Sequence, residues 1–132
     1  MRFLLHGVIH PDTQAALIKH QHACHTLLEL SEDSTAPEEL ANSPLLLLPL
    51  LQKKQWNLIT TDSDFIQKLY EHHIAFPGII IHLLESPDDD PRAQATGIGR
   101  LFERYPRLTP RRMYTVTPNR VKIRQLPGAA QA

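Results

Sequence analysis

Residues 57–84, NLITTDSDFIQKLYEHHIAFPGIIIHLL, hold a complete strand, helix and second strand. NLIT at 57–60 is a short apolar run that reads as a strand. From 62 to 73, Phe65, Ile66, Leu69 and Tyr70 recur at helical spacing, which predicts a helix. Pro77-Gly78 reads as a turn, and GIIIHLL at 78–84 follows with no charged residue. A nearly continuous apolar strand suits the middle of a sheet covered on both faces. Two strands joined by a helix are the unit of a parallel sheet.

The rest of the chain extends the same alternation. RFLLH at 2–6 reads as a buried strand. Pro11 and Asp12 suit the first turn of a helix to about residue 21, because proline there loses no bond and an acid is favoured. ACHTLL at 23–28 reads as a second strand. Residues 31–37 form a polar loop, and PEEL at 37–40 opens a helix that Pro44 ends. The leucine-rich run at 45–54 predicts another helix despite Pro49. It is apolar nearly all round, so it is either core or a partner surface, and a homodimer is expected if it is exposed. An acidic linker at 87–91 precedes an amphipathic helix at 92–104. Segments 113–117 and 121–126 alternate around Pro118-Asn119 as a β-hairpin. The expected fold is α/β, three-layered α/β/α with a mainly parallel sheet and a C-terminal β-hairpin. Residues 1–127 are expected to form a single domain and 128–132 a frayed tail.

The chain has 132 residues, 42% hydrophobic and 21% charged. That composition excludes a wholly disordered chain and allows a core without disulfides. The lone cysteine, Cys24, fits a reducing compartment, and in a strand it reads as a small buried hydrophobe. No apolar run approaches the roughly 20 residues of a membrane span. The expected location is cytoplasmic, with no membrane partner. Formal charge is zero, but residues 1–90 carry 5 basic and 13 acidic residues, a net of −8, and residues 91–132 carry 9 basic and 1 acidic, a net of +8. That asymmetry points to RNA or an acidic protein as partner, or to a tail that packs on its own body.

Ligands of parallel sheets lie beyond the carboxyl ends of the strands, here His6-Gly7 and residues 60–64. TTDSDF at 60–65 places Asp62 and Asp64 two residues apart where a strand gives way to a helix. Carboxylates so placed suit Mg2+ or Mn2+, which take oxygen ligands and can activate water for phosphodiester cleavage. The same residue types also cap helices, so spacing alone leaves both readings open. The eight histidines all precede residue 83, and His20, His22 and His25 are close in sequence. They lack a zinc spacing with cysteine partners. There is no Gly-rich phosphate loop and no Ser-His-Asp arrangement.

ITTDSDF at 59–65, PEEL at 37–40 and TPNRVKIRQLP at 117–127 together resemble the PIN-like domain family, in particular its small bacterial members. The resemblance implies a metal-dependent ribonuclease or phosphodiesterase holding Mg2+ or Mn2+ with Asp62, Asp64 and Glu38 or Glu39. Where that family carries its first metal-binding aspartate, this chain has His6, followed by Gly7 in place of glutamate. His6 would then stand in the ligand position, with the metal preference changed or the centre disabled. The alternative reading is an inactive PIN-like domain that binds RNA or a protein partner, as in a toxin–antitoxin pair. In either case Arg100, Arg104, Arg111, Arg112, Arg120 and Arg124 are the candidate RNA-binding residues, because guanidinium suits bidentate phosphate contact. Arg107 and Lys122 join the same basic tail, with Arg120, Lys122 and Arg124 expected on one face of a strand. Tyr105 and Tyr114 are candidates to stack on bases.

Overall fold

Apolar residues at both parities of each central strand build two cores, one on either side of a single six-stranded sheet. The structure, a computed structural model, describes residues 1–30, 36–85, 90 and 92–128. The element order is β1 (Arg2–His6), α1 (Pro11–Lys19), β2 (Ala23–His25), α2 (Leu27–Leu30), α3 (Pro37–Asn42), α4 (Pro44–Lys54), β3 (Asn57–Thr60), α5 (Ser63–Glu71), β4 (Ile80–Leu83), α6 (Ala93–Arg104), β5 (Arg112–Val116) and β6 (Val121–Gln125). The strand order is β2-β1-β3-β4-β5-β6, parallel throughout except for the antiparallel β5–β6 hairpin. Leu4, Leu58, Ile80 and Met113 face one way, against α2 to α5. Phe3, Ile59, Ile81 and Tyr114 face the other way, against α1 and α6. The protein is therefore the expected three-layered α/β/α fold. The expected polar loop, acidic linker and frayed tail fall wholly or mostly on 31–35, 86–89, 91 and 129–132, outside the described residues.

Local chemistry explains where elements differ from expectation. The strand expected over 23–28 stops at His25, because Thr26 opens α2 with the glutamate half of a capping box. Glu29 N donates to Thr26 O at 3.1 Å, and the Glu29 carboxylate accepts from Thr26 N at 2.8 Å. The Thr-x-x-Glu signal was present in the sequence. The helix expected to residue 21 ends at Lys19, and Gln21 takes a φ of 67°. The leucine run divides its roles: Leu47, Leu48 and Leu51 are core, whereas Leu45 and Leu46 are 68% and 47% exposed. Ser43 caps that helix by accepting from Leu46 N at 3.3 Å.

The strand order places one feature above the rest. β2 lies on one side of β1, and β3 lies on the other. α1 leaves β1 toward one face of the sheet, and α5 leaves β3 toward the other. The carboxyl ends of β1 and β3 thus flank the topological switch point, where open α/β sheets form a crevice. Among the described residues no helix is long and apolar enough to cross a membrane.

Candidate functional site

The switch point brings together His6 from β1, Thr60 from β3, and Asp62 and Ser63 at the start of α5. Thr60 pairs in register with His6 and with His82 of β4. His6 is 1% exposed and Thr60 is fully buried. The Ala41 carbonyl, on α3, can only accept, so His6 Nε2 carries the proton and donates to it at 2.7 Å. His6 Nδ1 then accepts from the Thr60 hydroxyl at 2.6 Å. Thr60 Oγ1 in turn accepts from Asp62 N at 2.9 Å. Burial pushes the His6 pKa down, opposed by the Ala41 bond and the Asp62 charge, so the ring stays neutral near pH 7. Both of its nitrogens are used inside the protein.

Gly7 completes the turn after β1. Its φ is +84°, and a Cβ there would lie 2.3 Å from Thr61 Oγ1. That hydroxyl accepts from Val8 N at 2.9 Å, and Thr61 N donates to His6 O at 3.2 Å. An acidic side chain at position 7 has neither the backbone conformation nor the space. The loop after Gly7 is held by Gln94 of α6, which is 6% exposed. Gln94 Oε1 accepts from His10 N at 3.1 Å and from Thr13 Oγ1 at 2.9 Å. Its Nε2 donates to Val8 O at 2.9 Å and to Glu85 Oε1.

The candidate carboxylates sit at the starts of two helices. Asp62 is the N-cap of α5, its Oδ1 accepting from Phe65 N at 3.1 Å. Asp64 is exposed in the first turn of the same helix. Glu38 and Glu39 are exposed in the first turn of α3. Among the described residues no group of three or more His, Cys, Asp or Glu side chains is placed to hold a metal ion. With His6 fully bonded and Asp62 capping, the residues present do not fit the Mg2+ or Mn2+ centre that the resemblance implies. Several of the other histidines pack on rings or carboxylates. His25 stacks on Trp56 at 3.9 Å, His22 lies 4.4 Å from Phe102, and His10 approaches Glu85 at 3.9 Å. Burial raises the Cys24 pKa, which suits a small hydrophobe and not a nucleophile.

Sequence reading missed His82 and Gln94, and it marked Thr60 only as part of the strand end at 60–64. His82 is 7% exposed, and its Nε2 shares a 3.2 Å hydrogen bond with Ser63 Oγ. Burial lowers its pKa, and the Asp62 charge opposes that. The one signal was a polar residue inside the apolar run GIIIHLL.

The six candidate arginines do not share one surface. Arg100, Arg104 and Arg120 line a common groove between α6 and the β5–β6 turn. Arg124 lies on the other side of the sheet, its guanidinium 3.7 Å over the ring of Tyr70 on α5. The expectation of Arg120, Lys122 and Arg124 on one strand face therefore fails: Arg120 precedes β6 and belongs to the turn. Arg111, with a φ of 66°, and Arg112 stand at the entry to β5, at the opposite end from the groove. Tyr114 is 1% exposed and its hydroxyl accepts from Thr109 N at 2.9 Å, so it offers no face for a base. Comparison of the chain with family models, curated proteins and solved structures finds no match.

Proposed function

We propose that the chain is a PIN-like domain that binds RNA without cutting it. The observation that carries this reading is the state of His6. At the position where the resemblance expects the first metal-binding carboxylate, a neutral imidazole spends both nitrogens on Thr60 and Ala41. That bonding ties α3 to the ends of β1 and β3 and leaves no lone pair for a metal. The groove with Arg100, Arg104 and Arg120 supplies the positive surface for an RNA partner.

The hydrolytic reading keeps one favourable observation. Asp62 and Asp64 both stand at the α5 N-terminus, beside the strand ends. A metal-dependent ribonuclease would have to recruit Glu38 or Glu39 to that place. The acidic-protein alternative would use the same groove as the RNA.

Binding is tested by fluorescence anisotropy with a short labelled single-stranded RNA in chelator. Binding is expected without any divalent ion. Affinity is expected to fall as salt rises, at a slope of about −0.7 per phosphate neutralised. No binding in chelator, or binding indifferent to salt, overturns the reading.

A further inference from the structure

The arginine groove has about 350 Å3 of space and is built by a glycine. A Cβ on Gly97 would lie 2.8 Å from Val116 Cγ1, so glycine lets α6 approach the end of β5 this closely. Arg100 and Arg104 stand three and seven residues beyond Gly97, on the same face of the helix, and reach the hairpin turn. The turn on the facing wall is fixed by its own bonds. Arg120 N donates to Thr117 Oγ1 at 3.1 Å, and Thr117 N donates to Arg120 O at 3.0 Å. Asn119 adds a carboxamide beside them.

Three guanidiniums and one carboxylate, Glu103, share this groove, a net of 3 − 1 = +2. Among the described residues no carboxylate lies within ion-pair distance of these arginines, Glu103 included. Arg104 also lies 5.5 Å from the ring centroid of its neighbour Tyr105. The positive charge is confined: Arg124 is held over Tyr70, and Arg111 and Arg112 lie at the far end of β5. None of these three extends the groove into a line for a strand's successive phosphates.

We propose that the groove binds a terminal phosphate, a phosphomonoester, in preference to the internal phosphodiesters of a strand. A phosphomonoester carries roughly −1.5 to −2 charge near pH 7, against −1 for a diester, and presents three oxygens to planar donors. A concentrated +2 matches the former. The C-terminal end of α6 weakly disfavours an anion, and three guanidiniums lining one groove outweigh it. The phosphate belongs either to a strand end or to a free mononucleotide. The first source rests on the RNA-binding reading, and the second does not.

The test is anisotropy in chelator on one labelled oligoribonucleotide in three forms, with a 5′-phosphate, with a 3′-phosphate and with both ends hydroxylated. Adenosine monophosphate serves as competitor. The expected result is about tenfold tighter binding of one phosphorylated form, as a further charge-assisted contact implies. Arg100→Ala and Arg120→Ala, both at exposed positions, should each abolish that advantage, and Lys19→Ala, on α1, should leave it intact. Equal binding of all three oligonucleotides overturns the terminal-phosphate inference while leaving RNA binding in place. Saturable binding of the mononucleotide with no binding of any oligonucleotide upholds the phosphate site and overturns the RNA reading. No binding of any probe overturns both, as does saturable binding of an acidic peptide in their stead.

Discussion

Replacing His6 with alanine would leave the buried Thr60 hydroxyl and the half-buried Ala41 carbonyl without their partner. Lost hydrogen bonds to buried groups, with the cavity left by the ring, cost about 2–4 kcal/mol. Urea denaturation of His6→Ala should show that loss, and a change within experimental error would mean His6 holds nothing in place. Acid acts on the same chemistry. His6, His22 and His82 all have pKa values below the ordinary 6.5, each chiefly through burial, and His22 falls to about 4. The unfolded chain therefore binds protons first as pH falls. The stability from these neutral rings is complete above about pH 6.5. It declines below that value, for His22 until about pH 4. Thermal melting at about pH 7.5 and about pH 5 should give a lower midpoint at the acid end. His22→Gln should flatten part of that difference, and a flat wild-type profile would contradict the assignment. At this scale the sequence announced that something unusual sat at His6-Gly7. It did not announce the partners, because Ala41 is 35 residues away and Thr60 is 54.

The elements were legible where one signal dominated. Residues 57–84 combine helical spacing with an apolar run, and β3, α5 and β4 fall inside the expected spans. The leucine run was ambiguous for a physical reason: a helix apolar all round has no periodicity to say which side faces the sheet. Its neighbours decide, and they put Leu47 in the core and Leu45 in solvent. Leu47→Ala should cost about 2–5 kcal/mol, while Leu45→Ala should stay within about 0.5 kcal/mol. Chemical denaturation of the two variants separates them, and equal losses would mean that Leu45 is covered. Gly97 carried no signal either, since a glycine in a helix reads as a weakness until the strand end beside it is known. Gly97→Ala should destabilise by about 1–3 kcal/mol through overpacking against Val116, with loss of the groove's anion binding. An Ala variant of full stability would mean that α6 can stand off from β5.

The whole molecule rests on a strand order that alternation does not dictate. A βαβ pattern implies a parallel sheet, but which edge each new strand joins depends on where its crossover packs. The order β2-β1-β3-β4-β5 puts the switch point between β1 and β3. His6 and Asp62, far apart in sequence, thereby become neighbours in one crevice. The charge split resolves only in part into a surface. Arg100, Arg104 and Arg120 of the basic tail converge, whereas Arg124 stacks on the body of the protein. The fold was thus within reach of local pattern, and the site was not, because its decisive contacts join residues from β1, α3, β3 and β4. The most direct measurement is the length of a labelled single-stranded RNA after incubation with the protein in Mn2+, beside a chelator lane and an Asp62→Asn, Asp64→Asn double variant. Under the proposed reading this RNA is bound and stays at full length in every lane. Metal-dependent cleavage that disappears in the double variant would contradict that, and would make the crevice a working nuclease centre.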